Sequence, residues 1–329
     1  MATVGSTAAT LSDWARRVDP DGKVAKIVEI LNETNEVLDD MKWVEGNLPT
    51  GHKTTIRSGL PTVTWRLLNY GVQPSKSRTV SVTDTVGMLE SYAEVDKDLA
   101  DLNGNTNEFR LSEDSSFLES MSQEMATTLF YGNTNSDPEK FMGLSPRYNS
   151  LSAENAGNII VGGSADTDNT SVWLILWGPA TCHGIFPKGK VTGLQHTDKG
   201  QVTLEDAAGG KYEGYRSHYK WDAGFCLRDW RYVVRIPNIE ISALTKDASA
   251  GADLVDLMVQ AQELIPSLGK GTPVFYCNKT IRSVLRRQIS NTSNVHLSID
   301  QVGGKHVMNL SGIPVRKCDA LLNTEALVS

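Results

Sequence analysis

The apolar positions change their period several times along the chain, and each change marks an element. Residues 1–18 are small and polar and read as an arm. Val24, Ile27, Val28, Leu31, Val37, Leu38 and Met41 then recur at helical spacing, with Asp19-Pro20 as a start signal and Gly46 as a stop. Thr62 to Leu67 and Thr79 to Thr83 alternate instead, on either side of the turn-forming stretch Asn69 to Ser77. This predicts a long β-hairpin within residues 52–86. Its large apolar residues are few, chiefly Ile56, Val63, Trp65, Leu67, Leu68 and Val80. A two-stranded ribbon of that kind is marginal in water, so something outside it is expected to cover it.

Helical spacing returns at Met88, Tyr92, Val95, Leu99 and Leu102, with Glu90, Glu94, Lys97 and Asp101 off the stripe. After Asn103-Gly104 a stronger helix is predicted over 115–131. Ser112, Asp114 and Ser115 offer caps, Phe117, Leu118, Met121, Met125, Leu129 and Phe130 make the apolar face, and Gly132 ends it. Residues 158–241 read mainly as β. Val172 to Trp177 is a continuous apolar run, as in a strand buried on both faces. Gln201 to Glu205, Tyr215 to Trp221 and Phe225 to Ile236 are further strands. The pattern then returns to α/β. Leu254, Leu257, Met258, Ala261, Leu264 and Ile265 form a helix stopped by Pro266, and Pro273 to Cys277 a short buried strand. A helix capped by Asn278 carries Ile281, Val284, Leu285 and Ile289. A hairpin-like segment runs from Val295 through Gly303-Gly304 to Val307, ahead of Leu310-Ser311-Gly312-Ile313-Pro314-Val315.

Composition narrows the function. With 329 residues, 40% of them hydrophobic and 22% charged, the chain is long enough for about two globular domains. No run reaches the roughly 18 apolar residues of a membrane span, and Met1 to Thr10 lacks a signal-peptide pattern. The formal charge of −7 argues against a general nucleic-acid binder, which needs cations to displace counterions from phosphates. It leaves room for a protein that encloses DNA. The cysteines Cys182, Cys226, Cys277 and Cys318 form no CxxC pair and lie in or beside apolar segments, which suits buried free thiols.

Catalytic signatures are weak. Gly269-Lys270-Gly271-Thr272 lacks the earlier glycine of a phosphate loop and precedes a strand. No GxSxG elbow occurs. Cys182-His183 reads as a buried cysteine beside a loop histidine, with His196 and His218 at no recognisable spacing. Acidic pairs such as Asp39-Asp40 and Glu205-Asp206 fit solvated faces or turns. The helix after Cys277 carries Lys279, Arg282, Arg286 and Arg287. These suit contact with a neighbouring subunit or with DNA, and the negative overall charge favours the subunit.

The order of parts carries a resemblance. An N-terminal arm and helix, a long hairpin and then a long helix resemble a tailed-phage major capsid protein of the Hong Kong 97-type fold, most closely those of short-tailed phages. Phe130-Tyr131-Gly132-Asn133 with Phe141-Met142-Gly143-Leu144 is similar to the family's spine-helix exit. Val274 to Asn278 and its helix are similar to the A-domain strand and helix, and Gly312-Ile313-Pro314-Val315 to its Gly-x-Pro-Val strand. The stretch Trp173 to Ile236 resembles short-tailed phage capsid proteins. The resemblance implies an α+β fold with an N-terminal arm (1–50), an E-loop hairpin (51–87), a P-domain with spine helix and body strands (88–245), an A-domain (246–309) and a terminal strand segment (310–329). The body strands precede the helix–strand–helix block here, which implies a permuted chain order. The family's Lys–Asn cross-link does not carry over: Lys53 and Lys76 lie in or near the hairpin, but no motif marks an Asn partner.

The implied function is that of a structural, non-enzymatic subunit. It assembles in the host bacterial cytoplasm into hexamers and pentamers of an icosahedral virion shell around double-stranded DNA. The implied partners are further copies of itself, a scaffold, a portal and a decoration protein, with no cofactor, metal or membrane. The residues expected to touch neighbours are Trp65, Arg66, Tyr70, Lys76 and Arg78 of the E-loop, with Lys279, Arg282, Arg286 and Arg287 facing a neighbour or DNA. Two alternatives compete. One is an encapsulin-type shell. The other is a soluble β-rich enzyme with a site around Cys182, His183 and His196.

Overall fold

A computed structural model describes residues 33–163, 167–206, 208–245, 251–291, 297–302 and 305–329. The arm at 1–18 and most of the helix expected over 24–41 lie outside these residues, as does the Gly303-Gly304 turn. Of that helix, the described part is one turn, α1 (Val37–Asp40). It is followed by β1 (Trp43–Glu45), β2 (Gly51–Gly59), β3 (Arg78–Asp96), α2 (Lys97–Ala100), α3 (Thr106–Tyr131), β4 (Asn169–Trp177), β5 (Cys182–Phe186), β6 (Gln195–Glu205), β7 (Lys211–Leu227) and β8 (Val233–Glu240). The chain closes with α4 (Leu254–Leu264), β9 (Thr272–Cys277), α5 (Lys279–Asn291), β10 (Leu297–Val302), β11 (Lys305–Leu310) and β12 (Ile313–Lys317).

One twisted sheet runs β10-β11-β12-β9-β4-β5-β7-β3-β2, with β1 on β5, β6 on β7 and β8 on β4. β4 is its buried centre, antiparallel to both β8 and β9. Its continuous apolar run is explained by two cores. Trp173, Ile175 and Trp177 face Met125, Leu129 and Phe130 of α3. Val172, Leu174 and Leu176 face Met258 of α4 and Ile281 of α5. Alternate side chains enter opposite faces, so both must be apolar. Because β4 pairs directly with β9, the sheet is continuous across the boundary expected at 245/246.

Several expectations fail, each for a physical reason. The stripe Met88, Tyr92, Val95 belongs to strand β3, paired with β7 from Val86↔Gly224 to Asp96↔Gly214. A spacing of four is even, so Met88 and Tyr92 share a strand face as readily as a helix face. That face is exposed, while Ala93 and Val95 on the other are buried. The predicted strand at 62–67 is absent. β2 lies earlier, at 51–59, and pairs with β3 from Gly51↔Thr85 to Gly59↔Arg78. Residues 60–77 form an irregular excursion that includes Pro61 and Pro74, each of which lacks a ladder donor. The helix α3 begins at Thr106, so Ser112, Asp114 and Ser115 lie inside it. Ser115 Oγ donates to the Ser112 carbonyl (2.9 Å), and Asp114 accepts from Ser217 Oγ (3.2 Å). The span Phe225–Ile236 is broken between β7 and β8 by a 3₁₀ turn, Trp230–Tyr232, which Asp229 caps through the Arg231 amide.

α3 ends at Tyr131, just before Gly132 as expected, but the strand expected after it at Phe141 to Leu144 is absent. Gly143 N donates to the Gly132 carbonyl (2.7 Å) and Leu144 N to Leu129 (2.9 Å). A Cβ on Gly132 would stand 2.4 Å from the Phe141 oxygen, and one on Gly143 2.7 Å from the Thr128 oxygen. Only glycine permits that approach.

Candidate functional site

Residues 60–77 join β2 to β3 and are exposed throughout. Within them Leu60, Val63, Trp65, Leu67, Leu68, Tyr70 and Val72 all face solvent, Trp65 at 98% and Val63 at 89% of full exposure. Two local bonds shape the excursion: Tyr70 N donates to the Leu67 carbonyl (3.2 Å) around Asn69 at φ 64°, and Ser75 Oγ donates to the Thr62 carbonyl (2.8 Å). Trp65, Arg66, Tyr70 and Lys76 lie in this segment, and Arg78 opens β3 beside Gly59, all exposed. Each large apolar side chain here gains about 1.5–3 kcal/mol if covered. A contiguous apolar stretch of this size marks an interaction surface.

The second surface is on α5. Asn278 caps this helix, its Oδ1 accepting from Thr280 N (3.1 Å) while its Nδ2 donates to the Leu321 carbonyl. Ile281, Val284 and Leu285 are buried, and Gln288 ties the same face to the Thr245 and Ala252 carbonyls (3.1 and 3.2 Å). That anchoring turns Lys279, Arg286 and Arg287 outward, with Arg282 half-buried. With Ser283 and Lys317 they line an open groove of about 470 Å³. Among the described residues no carboxylate lines it. Lys317 pairs at the side with Asp319 (2.9 Å), and Arg316 turns away to Glu36 and Asp40 (2.9 and 3.1 Å).

The residues of the enzyme alternative are not brought together. Cys182 and His183 stand on β5, where Cys182 pairs with Leu227 of β7; His196 stands on β6 opposite Tyr219 of β7. Eight residues of β7 separate those points, about 27 Å of strand at 3.4 Å per residue. His183 is fully buried in a strand and is not the loop residue expected. Its neighbours are His52 and Cys226, a cluster with no signature in sequence because its members are far apart in the chain. All four cysteines are buried and free. Burial pushes the thiols of Cys226, Cys277 and Cys318 up to about 12 and that of Cys182 higher still, far from the range of a thiolate nucleophile.

Comparison with known proteins places the whole chain. The family described as Major capsid protein GP7 matches residues 19–329. The near-atomic structure of bacteriophage Epsilon15 is similar over 100% of this chain and 99% of its own, at 41% identity and a TM-score of 0.81. The bacteriophage JBD30 capsid is similar over 89% of this chain and 93% of its own, at 7% identity and a TM-score of 0.46. The SrpI encapsulin complex of Synechococcus elongatus is similar over 70% and 96%, at 10% identity and 0.44. No curated protein matches. With a family match over residues 19–329 and a phage structure 41% identical over the whole chain, this chain belongs to the family of major capsid protein GP7.

Proposed function

We propose that this shell subunit uses residues 60–77 as an arm laid over a neighbouring copy, with Trp65, Arg66, Tyr70, Lys76 and Arg78 in the contact. The observation that supports this is the run of seven large apolar side chains that the subunit itself leaves uncovered. Repetition about rotation axes supplies such cover without a second protein. On this reading hexamers and pentamers close into an icosahedral head around double-stranded DNA, assembled in the host cytoplasm with a scaffold, a portal and a decoration protein. The segment 254–291, with α4, β9 and α5, lies at the capsomer centre as an A-domain. The cations Lys279, Arg282, Arg286 and Arg287 meet acidic groups of the adjacent copy.

The test shortens the arm. Replacing residues 69–77 by a short Gly-Ser turn leaves the two cores untouched, so circular dichroism and the melting temperature should match the parent. Sedimentation should find subunits or small oligomers in place of shells. If the shortened chain assembles as well as the parent, the arm is not an intersubunit contact.

A further inference from the structure

At the root of the hairpin two cross-strand pairs face each other. His52 on β2 stands opposite Asp84 on β3, and His183 on β5 stands opposite Cys226 on β7. One pair belongs to the arm and the other to the body. The ring of His52 meets that of His183 edge-on, centroids 5.9 Å apart. One ligand-capable atom from each of His52, His183 and Cys226 lies within 4.8 Å of the others.

The polar atoms here lack partners. His183 is fully buried, and neither ring nitrogen has a hydrogen-bond partner; the Gly178 backbone approaches it without reaching good geometry. His52 Nδ1 and Asp84 Oδ2 are likewise buried and unpartnered. Cys226 Sγ has Thr54 Oγ1 at 3.8 Å, with the Asp84 carboxylate beside it. Buried polar groups without partners are rare in native proteins, and a missing ion is one cause.

We propose that His52, His183 and Cys226 bind a transition-metal dication of the zinc type, with Asp84 Oδ2 completing the set. Two imidazoles and one thiolate are the donors that Zn²⁺ prefers, and bonds of about 2.0–2.3 Å put tetrahedral ligand atoms roughly 3.3–3.8 Å apart. The three ligand atoms lie within 4.8 Å of one another, so binding has to draw them together by up to about 1.5 Å. Uptake by the Cys226 thiol forms the metal–sulfur bond and releases its proton to solvent. Thiolate and carboxylate together balance the charge of the dication. Arg147 Nη2 donates to Asp84 Oδ1 (2.7 Å), the outer-shell role that metal carboxylates commonly have filled, and leaves Oδ2 buried and unpartnered, though Asp84 has to turn to reach the metal. The arm of Arg228, the cation nearest both imidazoles, is drawn off to the Pro179 carbonyl (2.7 Å). A metal here staples the root of the arm to the body sheet and sets the direction in which the arm leaves.

The experiment takes the full-length subunit, strips it with a chelator and titrates in Co²⁺. One Co²⁺ per chain is expected, with thiolate-to-metal charge-transfer absorption and intense tetrahedral d–d bands, both abolished by competing Zn²⁺. Zn²⁺ should also raise the melting temperature and slow amide exchange over 51–59. Cys226→Ser should lose the charge-transfer band, while Cys182→Ser, one strand position from His183, keeps it. His52→Asn, at the least buried ligand, should weaken Co²⁺ binding at least tenfold and serves if Cys226→Ser does not fold. A parent protein that binds no Co²⁺, or binds it without a thiolate band, overturns the proposal. So does a band that survives in Cys226→Ser.

Discussion

The Arg235 guanidinium lies under the sheet with 2% of its surface exposed, in an ion pair with Glu325 at 2.8 Å. It also donates to Ser171 Oγ (3.1 Å) and the Tyr148 carbonyl (2.8 Å), and it covers the Trp173 ring. Glu325 in turn accepts from the Tyr131 and Ser171 hydroxyls. This network fastens the C-terminal segment to β4 and β8, helped by Glu325 N to Asn169 O (2.9 Å) on β4 and Asn238 Nδ2 on β8 to Val328 O (2.9 Å). Removing one partner of a buried pair strands the other charge, at about 3–5 kcal/mol. Arg235→Met and Glu325→Leu should each lower subunit stability by that order in urea titration, and the double substitution should recover part of the loss. A double variant no better than the sum of the singles would show that the two residues act separately. Neither residue was legible as a pair in the sequence, since 90 positions separate them and each resembles a surface charge. Gly132 was legible as the end of its helix, but its close approach to Gly143 was not. Gly143→Ala meets backbone oxygen at 2.7 Å and should destabilise by about 1–3 kcal/mol, the usual cost of overpacking.

At the scale of elements, the sequence was most readable where burial fixed one periodicity. The strand β4, the helix α4 ended near Pro266, the strand β9 and the helix α5 all lie close to where their patterns put them. It was least readable in the arm. There, pairing and not patterning decides: β2 holds few large apolar side chains and is set by its ladder to β3. The second half of β3, from Met88, reads as a helix because residues four apart share a face in both geometries. The continuity of β4 with β9 was not visible, since pairing partners leave no mark on either strand alone. For α5 the face opposite the core carries Lys279, Arg282, Arg286 and Arg287 around one groove. Reversing Arg286 and Arg287 to Glu leaves the buried face intact, so the subunit should fold. If the helix meets a neighbouring copy, capsomers should fail to form without DNA present. Normal empty shells that fail only in packaging would assign the groove to DNA.

Across the whole molecule, the long sheet β3-β7-β6 stands partly in solvent and is laced by ion pairs rather than by a core on both faces. Glu90 is held below its ordinary range first by the hydrogen bond from Lys220 and then by His218. Asp198 is lowered by the Arg110 guanidinium and the Gly200 amide, and Glu213 by the Thr203 and Gln201 side chains. Asp101, where the sheet meets α2, is lowered by Lys97 and Thr106. All four shifts have one sign. A carboxylate whose folded value is depressed contributes stability that is fully present above its unfolded value, 3.8 for Asp and 4.5 for Glu, and loses it as pH falls through the folded value. These groups are exposed enough that salt screens each of them, so the effect is a sum over many small parts. The isolated subunit should therefore lose stability in two stages as pH falls: below about pH 6.5, because His183, held down to about 4, and His52 take up protons in the unfolded chain before they do in the fold, and further below about pH 5 as these carboxylates protonate. Salt should shrink the plateau stability more than it shifts the onset. Glu90→Gln removes one titrating member while keeping its shape, and its melting temperature should fall less steeply between pH 5 and pH 3 than that of the parent. Thermal unfolding followed by circular dichroism at each pH reads both. A variant whose acid slope equals the parent's would take Glu90 out of the set and locate the acid response elsewhere in the molecule.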